Sequence, residues 1–409
     1  MRPPPAPPLL SFLPAVLCAA CEAADATGSL ARRDTLASGT ILVSYAGVPV
    51  RAVEEVVPDL RIGSLDGPAV EAFGDVRGIE AGPDGTVYVL DFQAAELRAF
   101  APDGAYRATL ARKGEGPGEL GEANGMVLGP DGTLWVQDHG HWAILGLSPE
   151  GEEVRRLPMM VRGYGYLWDG KVDHRGVFWQ AWSHSDREPT SEPRPGPQEG
   201  ALRRYYKSYD PATETHDSVF LGESPVRTFV VRLGDGWSVF GIPFAAGALQ
   251  ALDPRGAIWS VASSDDYRLV RLDPSGDTAL VLDVDVDGPA ITAEEREEWL
   301  GRLERFGERA PSLRAELGAL FPERKPVLEQ LLVDDEGRLW VRRAVPYGEP
   351  PLYDVFRDDG EYLASARVPA GTSSYFPPVV RGGRVYLLVR DSLEVPFVVG
   401  AALPAALSR

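Results

Sequence analysis

One repeat constrains this chain more than any other feature. GIEAGPDGTVYVLD (Gly78 to Asp91) and GMVLGPDGTLWVQD (Gly125 to Asp138) align without a gap, and their turn glycines, Gly85 and Gly132, lie 47 residues apart. Such self-similarity marks an architecture in which one supersecondary unit stacks on copies of itself. The pattern recurs more loosely in LWDGKVDHRGVFWQAW, ALQALDPRGAIWSVAS, LEQLLVDDEGRLWVRR and FPPVVRGGRVYLLVR. The anchoring glycines are Gly85, Gly132, Gly176, Gly256, Gly337 and Gly383, spaced by 47, 44, 80, 81 and 46 residues. The unit is thus about 45 residues long, and two intervals carry insertions.

Each unit holds a second turn of the same kind. The pairs Gly85/Gly104, Gly132/Gly151, Gly256/Gly276 and Gly337/Gly360 are 19, 19, 20 and 23 residues apart, room for two strands and a connection. Pro-Asp-Gly and its relatives suit tight hairpins, because Pro fixes φ at the second turn position and Gly supplies the positive φ. The flanking segments TVYVLD, TLWVQD, AIWSVA and RLWVRR read as strands. One unit is therefore a four-stranded antiparallel meander, and six predict an all-β six-bladed β-propeller over residues 40–403. With 44 Gly and 36 Pro in 409 residues, the chain is too punctuated for a helical protein. A stacked solenoid is the alternative.

The last unit has strands near Phe376–Val380, Arg384–Arg390 and Phe397–Ala401 and stops one strand short. Val53 to Ile62, ahead of the first unit, is expected to supply that outer strand and so remove an open edge. The insertions differ in kind. Residues 183–203 are polar and proline-rich, which predicts an exposed loop in the third unit. Residues 291–321 are expected to form a small helical hairpin: Thr292-x-x-Glu295 fits a capping box, apolar residues recur at helical spacing from Trp299 to Phe321, and Pro311 should separate the helices. It would rest on one propeller face, or cover the channel as a lid.

Residues 1–26 read as an export signal: one early charge, Arg2, then an apolar stretch from Leu9 to Ala20, too short to span a bilayer. Both cysteines, Cys18 and Cys21, fall here. Leu17-Cys18-Ala19-Ala20-Cys21 resembles a lipobox, with Cys21 as the lipidated residue, although its leucine lies four residues before Cys21 rather than three. Ala24-Asp25-Ala26 offers an ordinary cleavage site instead. Either cleavage implies a periplasmic or cell-envelope protein without disulfides, and lipidation would attach it to the membrane. The net charge of −19 argues against nucleic acid, whose binding needs clustered Lys and Arg.

KGEGPGEL (Lys113 to Leu120), Asn124-Gly125, the Pro-Asp-Gly turn and LWVQDHGHWAILGLSPEG resemble the repeat of NHL-type β-propellers. The likeness is good over residues 76–159 and loose over 160–403. The layout as a whole, helical insert included, is similar to bacterial exported six-bladed propeller proteins. The resemblance implies a fold and names no activity. KGEGPGEL is an inter-unit link, since it lacks the Gly-Lys-Ser/Thr ending of a phosphate cradle.

Propeller ligands sit at the central channel, where innermost strands begin. The residue eight before each anchoring glycine is Arg77, Asn124, Trp168, Ala248, Glu329 or Tyr375. Arg77, Asn124, Trp168, Glu329 and Tyr375 would suit a polar or sugar-like ligand at the channel mouth, unless Arg77 and Glu329 merely neutralise each other. His139 and His141, if on a strand, would share a face, but the histidines cluster in the second and third units, which disfavours a metal site. Gluconolactonase-type propellers hold a divalent cation with several carboxylate and amide oxygens; here only Asn124 and Glu329 qualify. No nucleophile signature is present. The expectation is an exported binding or scaffolding module without a metal or other cofactor, for a small molecule, glycan or protein. The alternative is a metal-dependent lactonase- or lyase-type hydrolase using Ca²⁺ or Zn²⁺ at the channel mouth.

Overall fold

The turns set the hairpins. In Gly82-Pro83-Asp84-Gly85 the Gly85 N–H donates to the Gly82 carbonyl at 3.0 Å, and the Gly82 N–H donates to Thr86 at 2.8 Å. Asp84 Oδ1 accepts the Thr86 N–H at 3.0 Å. Gly129 to Thr133 repeats this arrangement. All six anchoring glycines lie at φ between +71° and +93°, where a Cβ would be strained.

The computed structural model describes residues 31–49, 53–159, 168–185, 194–233 and 236–408. Residues 1–26, expected to be an export signal, and with them Cys21, lie outside the described residues. Strands pair into six sheets of 4, 4, 5, 6, 5 and 4 strands in chain order. Sheet 1 is Val76–Ala81, Val87–Asp91, Glu96–Phe100 and Tyr106–Ala111; sheet 2 is Ala123–Leu128, Leu134–Asp138, Ala143–Leu147 and Glu153–Pro158. Sheet 3 is Lys171–Val172, Phe178–His184, Gly196–Asp210, Thr215–Leu233 and Gly236–Gly241. Sheet 4 is built on Leu249–Leu252, Ile258–Val261, Arg268–Leu272 and Thr278–Val284, and sheet 5 on Leu328–Val333, Leu339–Arg343, Leu352–Phe356 and Tyr362–Arg367. Sheet 6 contains Val379–Arg381, Arg384–Arg390 and Pro396–Ala402.

Each strand beside a turn is apolar on both faces because each sheet has two neighbours. In TVYVLD, Val87 and Val89 pack with Tyr386 and Leu388 of sheet 6, while Tyr88 and Leu90 pack with Met126 and Val136 of sheet 2. Further clusters join sheets 2 and 3 (Trp135 with Phe178), 3 and 4 (Trp179 with Ile258), 4 and 5 (Trp259 with Val341), and 5 and 6 (Tyr353 with Leu387). Every sheet thus shares a core with the next, and the sixth shares one with the first.

The N-terminal segment is a strap across three sheet edges. Ile41–Tyr45, flanked by Arg32–Thr35, runs parallel to Thr278–Val284 of sheet 4. Val53–Glu55 runs parallel to Tyr362–Arg367 of sheet 5, and Leu60–Ile62 pairs antiparallel with Pro396–Ala402 to complete sheet 6. The sequence led us to expect 53–62 on the last sheet; only its end goes there. Pro58 has no N–H to give a ladder, so the strand breaks and its two halves serve different sheets.

Both insertions depart from expectation. Of residues 183–203, 183–184 and 196–203 are strand rather than loop: the strands of sheet 3 extend into an arm, with Gly196–Asp210 paired to Thr215–Leu233 from Gly196↔Val230 to Asp210↔Thr215. Residues 186–193 of that segment lie outside the described residues. The polar composition reflects an arm exposed along much of its length, which needs no apolar run to hold its ladder. In the second insertion, helix α1 (Ala293–Gly301) is capped by Thr292, whose hydroxyl accepts the Glu295 N–H at 3.1 Å. The Glu295 carboxylate pairs with Lys325 at 2.6 Å. Pro311 does not divide the helices. It lies in the first turn of α2 (Ala310–Gly318), where a missing N–H costs nothing, and a 3₁₀ segment, Arg302–Arg309, kinked at Gly307, makes the break. Leu300, Leu303, Leu313 and Leu317 pack on Phe229 and Val231 of the arm, so the insert braces the arm.

Candidate functional site

Three of the five expected mouth residues share one structural feature. Val76 pairs with Asp91 and Gly78 with Leu90, leaving Arg77 as the extra residue of a β-bulge. Asn124 is skipped between Ala123↔Asp138 and Gly125↔Gln137, and Glu329 between Leu328↔Arg343 and Gln330↔Arg342. Equivalent positions of three innermost strands are therefore bulged, a device that re-aims a side chain.

Arg77 hydrogen-bonds Asn124 Oδ1, donates to Asp75 Oδ2 at 2.9 Å and lies 3.7 Å over the Phe92 ring. Asn124 is buried, and its carbonyl accepts the Trp168 N–H at 3.0 Å. Arg77, Asn124 and Trp168 thus come together. Glu329 belongs to a second group: it accepts from Arg342 Nε at 2.8 Å, Arg342 donates to the Ser373 carbonyl at 3.2 Å, and Ser373 Oγ accepts the Tyr375 N–H at 3.1 Å. Tyr375 is exposed and, with Arg390, Asp391 and Glu394, lines an open hollow of about 600 Å³. Arg77 and Glu329 do not neutralise each other, since Asp75 and Arg342 are their charge partners. Sequence spacing gave no sign of either partner. Ala248 faces neither group and lines a separate cavity.

Further along the inner strands, charges from three sheets meet. Glu80 of sheet 1 lies 3.9 Å from Arg381 of sheet 6. Burial raises its carboxyl above the ordinary range, opposed by Arg381 and by Lys171 of sheet 3. Glu80 and Lys171 each stand five residues before an anchoring glycine, a spacing that could have revealed them.

His139 and His141 lie beyond the strand. Leu134–Asp138 ends before them, so His139 and His141 sit in a turn rather than on one face of a strand. Asp138 braces that turn, accepting the N–H groups of Gly121, Glu122 and Gly140 at 2.7, 2.8 and 2.9 Å, with His141 Nδ1 at 3.0 Å. His139 packs on Trp142, and burial lowers its pKa, which favours the neutral ring. Among the described residues no three His, Cys, Asp or Glu side chains converge in a group that could hold a metal ion.

No protein-family model matches the chain, and no curated protein matches it in sequence. Similar solved structures are propeller-type proteins. Regucalcin, a calcium-binding protein from Agrobacterium tumefaciens, is 12% identical over 87% of this chain and 98% of its own, with a TM-score of 0.41. A gluconolactonase from Xanthomonas campestris is 14% identical over 87% and 99%, at 0.40. A member of the DUF4221 family from Bacteroides vulgatus is 10% identical over 85% and 97%, at 0.45.

Proposed function

We propose that this chain is an exported six-bladed β-propeller of NHL-like type acting as a binding or scaffolding module, with a polar ligand engaged at the channel mouth. The six shared cores, running in a circuit from sheet 1 back to sheet 1, support the six-bladed reading. The observation that carries the binding reading is the set of equivalent bulges at Arg77, Asn124 and Glu329. Such side chains, with Trp168 and Tyr375 beside them, suit hydroxyl- and amide-bearing ligands such as a glycan. Binding is favoured over the hydrolase because Glu329, the one carboxylate at the expected mouth positions, is tied to Arg342. Among the described residues no helix is long and apolar enough to cross a membrane. Attachment would rest on a lipid at Cys21, tested by labelled palmitate incorporation that disappears in Cys21→Ser.

A glycan array probed with the mature protein, and with an Asn124→Ala/Glu329→Ala double variant, tests the module. Retained glycans should be lost in the variant. Stoichiometric Ca²⁺ or Zn²⁺ in the purified protein, absent from the variant, would instead favour the hydrolase and overturn the binding reading.

A further inference from the structure

Four described arginines are buried: Arg98, Arg204, Arg338 and Arg342. Arg98 pairs with Glu96 at 2.8 Å, Arg338 with Asp334 at 2.7 Å and Arg342 with Glu329 at 2.8 Å. Arg204, only 4% exposed, has no carboxylate partner among the described residues. Its guanidinium donates to the Val261 carbonyl at 2.8 Å, the Leu221 carbonyl at 3.1 Å and Ser260 Oγ at 2.8 Å, all neutral acceptors. Its Nε is buried without a hydrogen-bond partner among the described residues. Burial pulls its pKa below the ordinary value, and no acid opposes that pull. An uncompensated buried cation is costly, and a fixed one is ready for an anion.

This arginine lines a cavity of about 390 Å³ between the base of the sheet 3 arm and the lead-in to sheet 4. The volume is within the range of small-molecule sites. In a chain of net charge −19 the lining, among the described residues, holds Arg204 and Arg227 and no carboxylate. Arg227 differs from Arg204: it is half exposed and lies 3.4 Å from Glu199. Leu202, Val226 and Ile242 form apolar wall. At Gly241 and Gly247 an added Cβ would meet nothing within 4 Å, so the space beside them is open.

We propose that this cavity binds a small organic anion, a carboxylate on a short apolar body, with its charge seated against Arg204. Three neutral acceptors hold the guanidinium head, so binding supplies the missing counter-charge without rearranging it. The apolar body lies along Leu202, Val226 and Ile242. This site shares only Ala248 with the aligned mouth positions, and it does not rest on the channel-mouth reading.

Isothermal titration of the mature protein with hexanoate, 1-hexanol and inorganic phosphate tests the proposal. Hexanoate should bind, with the alcohol and phosphate at least about tenfold weaker because each lacks one half of the recognition. Arg204→Gln should weaken hexanoate by about tenfold or more, the scale of a charge-assisted hydrogen bond. That variant leaves buried carbonyls short of donors, which puts its folding at risk. Gly247→Leu therefore fills the cavity instead, leaving the guanidinium in place at a position without positive φ, and should abolish binding. Asn124→Ala should leave hexanoate binding unchanged, which separates this site from the mouth. The proposal is overturned if hexanoate does not bind, if 1-hexanol or phosphate binds as tightly, or if Gly247→Leu binds hexanoate as the parent does.

Discussion

Arg338 in sheet 5 and Arg204 at the base of the sheet 3 arm are equally buried, at 4% exposure, yet their surroundings are opposite. Arg338 serves a turn. Asp334, the first residue of Asp334-Asp335-Glu336-Gly337, receives Arg338 Nε at 2.7 Å, the Arg338 N–H at 2.8 Å and the Trp340 indole N–H at 3.0 Å. Sheet 3 repeats this lock, with Asp173 holding Arg175 at 2.7 Å and the Trp179 indole at 3.1 Å. In the arm, Arg204 meets only neutral acceptors. A buried charge whose partners are all in the chain serves the fold. One left without a counter-charge, beside open space, is available to something outside it.

The largest expected effect falls on the charge-paired side. Asp334→Ala removes the acceptor shared by Arg338 Nε, the Arg338 N–H and the Trp340 indole, leaving the buried guanidinium only the Leu407 carbonyl and the half-exposed Glu336 at 3.0 Å, which should cost about 3–5 kcal/mol of unfolding free energy in urea. A loss below about 1 kcal/mol would mean that the lock is not what separates the two arginines.

Next comes the strap. Tyr45 reaches from the N-terminal segment to the second turn of sheet 5, donating to the Gly360 carbonyl at 2.9 Å and accepting the Tyr362 N–H at 2.9 Å. Tyr45→Phe keeps the ring packed against Phe356 and removes the hydroxyl's hydrogen bonds to two buried backbone groups, so a loss of about 1–3 kcal/mol is expected from thermal unfolding. An unchanged Tm would show that the strap lies on the sheets without clamping them.

These two sites also mark what a sequence can disclose. The turn lock is local, and the Gly337 anchor was legible because turn chemistry is written within four residues. The strap was half legible: the missing strand of sheet 6 asked for a partner, but nothing in residues 41–45 named sheet 4 as theirs. The arm was misread because its composition is that of a loop, and its strands are held by pairing with 215–233 rather than by apolar alternation. Arg204 left a faint trace. It occupies the inward phase with Tyr206 and Ser208, all three buried, so an arginine stands where alternation calls for an apolar residue. At the expected mouth, spacing located Arg77, Asn124 and Glu329, whereas Asp75 and Arg342, the ion-pair partners of Arg77 and Glu329, come from positions with no repeat signal.

The smallest effect tests an intermediate case, a buried charge with a distant partner. Glu80 lies 3.9 Å from Arg381, too far for a hydrogen bond, and burial raises its carboxyl pKa more than Arg381 and Lys171 lower it. A raised folded-state pKa means that the native protein holds this proton more tightly than the unfolded chain. The associated stability is fully present below the ordinary glutamate range and is lost as pH rises through the raised value. Glu80→Gln stays neutral throughout, so it should match the parent near pH 4 and exceed it in Tm at pH 7, by about 1–2 °C. A variant less stable than the parent at pH 7 would show that Arg381 and Lys171 compensate Glu80 fully. Glu80 would then join Arg338 among the satisfied charges, and Arg204 would stand alone.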